Sequence, residues 1–528
     1  MNDSSSRREF LRWSAGFSIM GAAAPLALQL TAVGNAAAAV APDYKALVCL
    51  FMQGGQDSNN MVLATDDDSW ARYVSARNTG ATPIALARTA VRTPPTNNAW
   101  GTTPSGWGGV VPIDPLTPQP IPVGTATPAG GKRTFAIHPL LHDLAYSPTS
   151  NQPDPTSLWA QKRLAVLANV GTLIQPTTKA QFNSKSVPVP QALGSHNDQQ
   201  SAWQSGAIDG AQTGWGGRLA DILASQNGAN AVFTSVSADG TAVFLSGEQQ
   251  GQYQINTDLN NPAIAIRGIS GNLFGTSAGA QAFKAIIQNT GGGSTFANDY
   301  AAIVNRSISA ASTLNSKFRT PGVVPAPPTF FETDQGFQDV NPWTTQLNTV
   351  AQMIAAAPGM GIKRQVFFLR LDQHDTHDHQ NERESLNLNR LAQALIYFDK
   401  ALAAIPAGKV SGVQQFADMR SCVTTFTASD FSRGFATNGD GTDHAWGGHH
   451  FIMGGAVKGG DMYGQYPTLG IDKTGFNNPD IVGNNMLPTT SVDQYGATLG
   501  RWFGVQDSDL FTIFPNLRNY PTPFLGFV

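Results

Sequence analysis

Ten consecutive residues, Leu371–Gln380 (LDQHDTHDHQ), hold three histidines and three aspartates. The chain has 9 His in all, and seven of them fall in three short windows. These are His374, His377 and His379 here, His444, His449 and His450 in DHAWGGHH, and His196 in SHND. Imidazoles placed beside carboxylates form a donor set suited to Zn, Mn, Fe or a similar divalent ion. A polar surface loop would explain one such window. Three windows, in a chain with only 13% charged residues against about 25% in ordinary globular proteins, point to metal binding. The net charge of −3 and the absence of any basic run exclude a nucleic-acid surface.

The elements that must position these residues read as an α/β pattern. Gln365–Leu371 (QVFFLRL) is mostly apolar and predicts a buried strand whose carboxyl end delivers the first cluster, where open α/β sheets place their ligands. Asn381–Ile405 then repeats apolar residues at spacings of mostly three and four, through Leu386, Leu391, Leu395 and Phe398, and predicts a long amphipathic helix. Lys45–Met52 (KALVCLFM) predicts a central parallel strand, stopped by Gly54-Gly55 and followed by Asp57. Val423–Ala428 predicts another, followed by Asp430 in SDFSR, which also carries Arg433. Asp57, Asp375 and Asp430 thus each trail a separate strand. Any one could be a turn-forming Asp, but three together point to a shared site.

Arg163–Val170 predicts a further strand, after which Ser195-His196 stands at the start of a helix over 199–206. Ser195 is either an ordinary N-cap or a hydroxyl in the positive field of a helix terminus. The second reading suits a nucleophile attacking an anionic ester. Arg218 follows early in the next helix. Gly439–His450 reads as a loop in which Asp443-His444, with His449 and His450, supplies half of a two-metal site. Short strands are expected at 231–236, 242–245 and 451–457, and a helix at 495–503. No Walker or dinucleotide fingerprint is present. His138 and His142, four apart, suit packing or capping. Cys49 and Cys422 read as buried thiols rather than a disulfide scaffold.

Residues 1–41 read as an export signal. Arg7-Arg8 precedes Phe10-Leu11, a moderately apolar stretch runs to Val33, and Ala36–Ala39 offers small residues for cleavage. This predicts passage through the twin-arginine translocase to the periplasm or beyond. No other stretch approaches the ~18 apolar residues of a membrane span. The expected mature chain, 42–528, is a single α/β domain with a Pro/Gly/Thr-rich insertion at about 78–132 and a helical cap or subdomain at about 250–350.

The series GGxD (Gly54–Asp57), Ser195-His196, DTHxxQ (Asp375–Gln380), DFxR (Asp430–Arg433), DHxWGGHH (Asp443–His450) and VKGG (Val457–Gly460) resembles an exported bacterial family called domain of unknown function 1501. The resemblance runs through nearly the whole mature chain in order. That family is similar to the alkaline phosphatase superfamily, which implies an alkaline phosphatase-like fold, with a mainly parallel sheet flanked by helices and loop-rich insertions. It implies two divalent ions, Zn, Mn, Fe or Ca, and an anionic phosphate or sulfate ester as substrate. Ser195 would be the nucleophile, and Arg433 or Arg218 would neutralise the ester oxygens. The metal ligands would be Asp57, Asp375 with His377 or His379, Asp430, Asp443, His444, and His449 or His450. The sequence departs from superfamily habit at Asp430-Phe431, where relatives carry Asp-His and this family commonly carries Glu. No C-x-P-x-R sequence for formylglycine is present, which disfavours standard sulfatase chemistry. The rival expectation is a metal-binding envelope binding or assembly protein that uses the fold without turnover.

Overall fold

The computed structural model describes residues 44–528 except 91–103, 123, 126–127, 129–130, 208–209, 259–271, 290–293, 319–322, 332–337, 408, 411–412, 415–416 and 474–475. The expected export signal lies outside the described residues, as does part of the 78–132 insertion.

The chain builds an α/β fold around a mixed, mostly parallel sheet. Its strands are β1 (Lys45–Met52), β2 (Leu164–Gly171), β3 (Ser235–Ser237), β4 (Tyr253–Gln254), β5 (Arg364–Leu371), β6 (Val423–Ser429), β7 (Gly448–Met453), β8 (Met462–Tyr463) and β9 (Thr490–Ser491). Their order across the sheet is β8-β2-β7-β6-β1-β5-β3-β4, with β9 also beside β2. β7 runs antiparallel to both neighbours, β6 and β2, while the other pairings in the sheet are parallel.

Burial on two faces explains the composition of the central strands. In β1, Val48, Leu50 and Met52 face one core with Leu347, Val350 and Ile354 of helix Pro342–Ala356 and with Leu391, Leu395 and Phe398 of helix Gln380–Ala404. Leu47, Cys49 and Phe51 face the other, against Leu219 of helix Trp215–Leu223 and Leu499 of helix Val492–Phe503. The alternation is the two-residue period of a strand, and with apolar side chains on both faces it gives a continuous hydrophobic run. Cys49 and Cys422 are both buried thiols, not joined in a disulfide.

Register decides where the polar loops emerge. Met52 of β1 pairs with Leu371 of β5 on one side and with Ser429 of β6 on the other. The three parallel strands therefore end level, and residues 53–57, 372–380 and 430–433 leave the sheet along one edge.

Three local expectations change. The 242–245 stretch makes a single 3-10 turn, Val243–Leu245, that packs Phe244 and Leu245 into the core instead of pairing as a strand. Residues 231–233 belong to a kinked helical stretch, Ala224–Phe233, and the strand is confined to β3. β7 begins at Gly448, earlier than expected, so His449 and His450 lie within a strand rather than in the preceding loop. The 250–350 region includes the helices Ser277–Ile287 and Thr295–Lys317. Among the described residues, no helix is long and apolar enough to cross a membrane.

A candidate metal centre at the carboxyl edge of the sheet

Gly54, two residues past β1, ties the three loops together. Its φ is +112°, and an added Cβ would collide with the backbone nitrogen of Asp375, so a side chain is excluded on both counts. The Gly54 N–H donates to Asp430 Oδ1 at 3.2 Å, and its carbonyl accepts from Arg433 Nη1 at 3.2 Å. The fourth contributor is α1 (His196–Ser205), which has Ser195 as its N-cap.

At this junction His196, Asp375 and His444 bring one donor atom each to within 4.8 Å of one another. His196 Nε2 lies 3.5 Å from Asp375 Oδ2, and His444 Nε2 lies 3.4 Å from Asp375 Oδ1. His377 adds a fourth group, with its Nε2 2.8 Å from His444 Nε2 and 3.2 Å from Asp375 Oδ1. Among the described residues no other group of three or more His, Cys, Asp or Glu side chains converges in this way.

The outer nitrogens show which tautomers the site holds. His444 Nδ1 is 2.7 Å from the carbonyl of Gly194, which can only accept, so the proton of the neutral ring sits on Nδ1 and leaves the Nε2 lone pair facing Asp375. His196 Nδ1 is 2.7 Å from Asp430 Oδ2, and the same assignment follows. His377 Nδ1 faces Asp443 Oδ1 at 3.4 Å. Orienting imidazoles through their far nitrogen by a carboxylate or carbonyl is the support that metal-bound histidines receive. The donor set fits a divalent ion of the Zn, Mn or Fe kind, with His196, Asp375 and His444 as ligands and His377 within reach. These residues support one ion.

Electrostatics follow from these contacts. Asp430 raises the pKa of His196, chiefly through the hydrogen bond and against partial burial. Partial burial lowers His444, with the cationic neighbours acting in the same direction and the Gly194 contact opposing it. Burial works to raise Asp375, but Arg433, by charge and by a 2.7 Å hydrogen bond, together with His377 and His196, outweighs it and holds the carboxyl below its usual range.

The remaining residues expected at the site fall elsewhere or act from behind it. Asp57 is buried in an ion pair with Arg77 of helix Asp67–Arg77, and also accepts from Gln380 Nε2 and from the Asn59 N–H at 3.1 Å. Asp430 and Asp443 stand on the outer nitrogens of His196 and His377 rather than in the converging group. Arg433 is completely buried, and its guanidinium holds Asp375, Gly54 and the Thr442 carbonyl. Arg218 is committed to the Ser205 carbonyl at 2.6 Å, at the end of α1. Ser195 donates its hydroxyl to Asp198 Oδ2 at 2.6 Å.

His379 is exposed and occupies the left-handed N-cap of helix Gln380–Ala404. His449 and His450 point to opposite faces of β7. The first accepts from Asn169 N–H at 3.1 Å and stacks on Tyr466, and the second packs against Trp203 and Tyr495. Burial pushes both down to about 3, as it does His374, which stacks on Trp343.

His196 is the converging residue that the sequence singled out only as a histidine window. Its position just after Ser195 drew attention to the hydroxyl, although imidazole in an SHND loop was the better signal.

Fold and site together define an α/β protein with a candidate metal centre at the carboxyl edge of its sheet. The chain belongs to the family described as protein of unknown function (DUF1501), whose model matches residues 44–512. Among curated proteins, none matches the chain.

Proposed function

We propose that this chain is a metal-dependent hydrolase of a phosphate or sulfate ester, with an alkaline phosphatase-like architecture and export through the twin-arginine translocase to the periplasm or beyond. The observation that carries the proposal is the convergence of His196, Asp375 and His444, with the outer nitrogens of both imidazoles held by Asp430 and Gly194. A divalent ion held there would supply Lewis-acid polarisation of an ester oxygen. Ser195 lies between Gly194, which orients His444, and His196 itself. Its Oγ–H donates to Asp198, so Asp198 is placed to take the proton as Oγ bonds to phosphorus or sulfur and the ester oxygen departs. Water then cleaves the serine ester. The first N–H groups of α1 favour the anionic group beside Ser195, and Arg433 keeps Asp375 ionised and in place.

The test compares metal-stripped protein with protein reloaded with Zn, Mn, Fe or Ca, using p-nitrophenyl phosphate and p-nitrophenyl sulfate. Turnover should return with one of these metals. Ser195→Ala should lose turnover and keep the metal. Equal turnover by Ser195→Ala and the parent would reject the serine mechanism.

One observation favours a second reading, a metal-binding envelope binding or assembly protein without turnover. Asp57, which a two-ion site would use, is held by Arg77. That reading expects full metal binding, no ester cleavage by any metal form, and indifference to Ser195→Ala.

A further inference from the structure

Beside the metal centre the same sheet edge carries a cleft of about 250 Å³. Phe51 and Phe368 are among its lining residues, but both rings are sealed into the core and offer it almost no surface. One wall is α1, through Asn197, Gln200 and Gln204, and Gln53 lies where β1 ends. The cleft and the centre share structure. Asn197 follows His196 directly, Gln200 Nε2 donates to the same Asp430 oxygen as His196 at 2.9 Å, and Gln53 precedes the Gly54 that holds Asp430. A substrate with its reacting group at the metal centre would extend into this cleft.

The lining specifies what fits. Four amide side chains line the cleft. Gln200 Nε2 already donates to Asp430 and Gln204 Oε1 accepts the Phe244 N–H, so Asn197 and the remaining amide groups of Gln200 and Gln204 are what a ligand would meet. Gln53 Oε1, beside the cleft, is enclosed and has no hydrogen-bond partner in the protein. The cationic side chain at the rim, Arg370, is matched by Asp239 and by Asp372, both at 3.1 Å, so the cleft carries no free positive charge to attract an anion. Amides with the hydroxyl residues Ser201 and Thr241, around a cleft without free charge, suit a neutral group with hydroxyls on its edges. The volume falls just below the ~300–1,000 Å³ of pockets for drug-sized ligands and matches a single ring-sized unit.

We infer that this cleft binds a neutral, polyhydroxylated ring, a glycosyl unit, as the organic part of the ester cleaved at the metal centre. The inference rests on the hydrolase reading for its purpose, but binding in the cleft requires neither metal nor turnover.

The experiment titrates methyl β-D-glucopyranoside, methyl β-D-galactopyranoside and N-acetylglucosamine into the metal-stripped full chain, followed by protein-observed NMR or calorimetry. Thr241 and Ala211 line the cleft away from the site residues, and Thr241→Tyr and Ala211→Trp would each fill it. At least one glycoside should bind saturably, and each variant should weaken it by about tenfold or more, one lost set of contacts being worth that much. Binding unchanged in both variants, or no saturable binding by any of the three, would overturn the inference. Glycoside binding without ester turnover would sink the hydrolase reading alone. Turnover of simple esters without glycoside binding would sink the cleft inference alone.

Discussion

Two polar groups sit at the same edge of the same sheet, each built on an aspartate just past a strand, and they differ in what faces the carboxylate. Past β5, Asp375 is half exposed and meets, besides Arg433, the inner nitrogens of His196 and His444, whose protons are held on the far side. Past β1, Asp57 meets Arg77, and both are sealed from solvent. Around them Gln56, Asn60 and Gln380 donate to Glu384, which is also buried. Both carboxylates meet a buried guanidinium, Arg77 on Asp57 and Arg433 on Asp375, so the difference lies in what else surrounds them. Asp57 is enclosed and also accepts from Gln380, whereas Asp375 is open to solvent and flanked by His196 and His444. The residue that decides between these outcomes comes from another part of the chain.

Breaking the buried group should have the largest effect. Arg77→Met leaves Asp57 enclosed without its partner, and loss of one member of a buried pair costs about 3–5 kcal/mol. Urea unfolding should show a loss of that order, while His444→Ala, in the half-exposed group, should unfold close to the parent and lose metal. If the two variants lose equal stability, the distinction between the regions fails.

A subtler change acts within the candidate metal centre. Asp430→Asn keeps the shape but weakens the hold on His196 Nδ1, and outer partners of this kind are worth about 10–100-fold in metal affinity. Competition against a chelator of known affinity would measure it, and an unchanged affinity would remove Asp430 from the supporting role.

The buried group should also respond to pH. Burial, reinforced by Asp57, holds Glu384 well above its ordinary carboxylate range, although Gln380, Arg77 and Asn60 pull the other way. A raised folded-state value means that the unfolded chain releases this proton first. The contribution is therefore fully present below the ordinary Glu range and lost as pH rises toward the folded value, with a slope of at most about 1.4 kcal/mol per pH unit. Glu384→Gln should flatten the fall in urea midpoint between pH 5 and 8. A parent midpoint that is level across that range would contradict this assignment.

The smallest effect is expected at His379. Its side chain is exposed and lies apart from the converging donors. His379→Ala should leave metal affinity within experimental error by the same chelator competition, and a large loss would return it to the ligand set.

The contrast also explains how much the sequence disclosed. The strands carrying Asp57, Asp375 and Asp430 were legible because apolar runs buried on both faces end in Gly and Asp, and their common edge followed from parallel pairing. Helix Gln380–Ala404 was legible from its apolar spacing. The fate of Asp57 was not, because Arg77 lies twenty residues on in a helix of low apolar contrast, where nothing local marks its partner. His449 and His450 looked like ligands because Gly-Gly precedes them. Their burial depends on Tyr466, Trp203 and Tyr495, which lie elsewhere in the chain. Asp430 and Asp443 read as metal ligands in the sequence, but spacing alone does not separate an acid that joins the converging donors from one that faces the far side of a histidine.

The most direct test of the candidate metal centre is elemental analysis of the full chain purified without chelator. The account predicts one equivalent of a divalent metal per chain, or its uptake on incubation with Zn, Mn, Fe or Ca. A clean zero that persists after incubation with each of them would contradict it, and the converging histidines would then be a polar cluster without a cation.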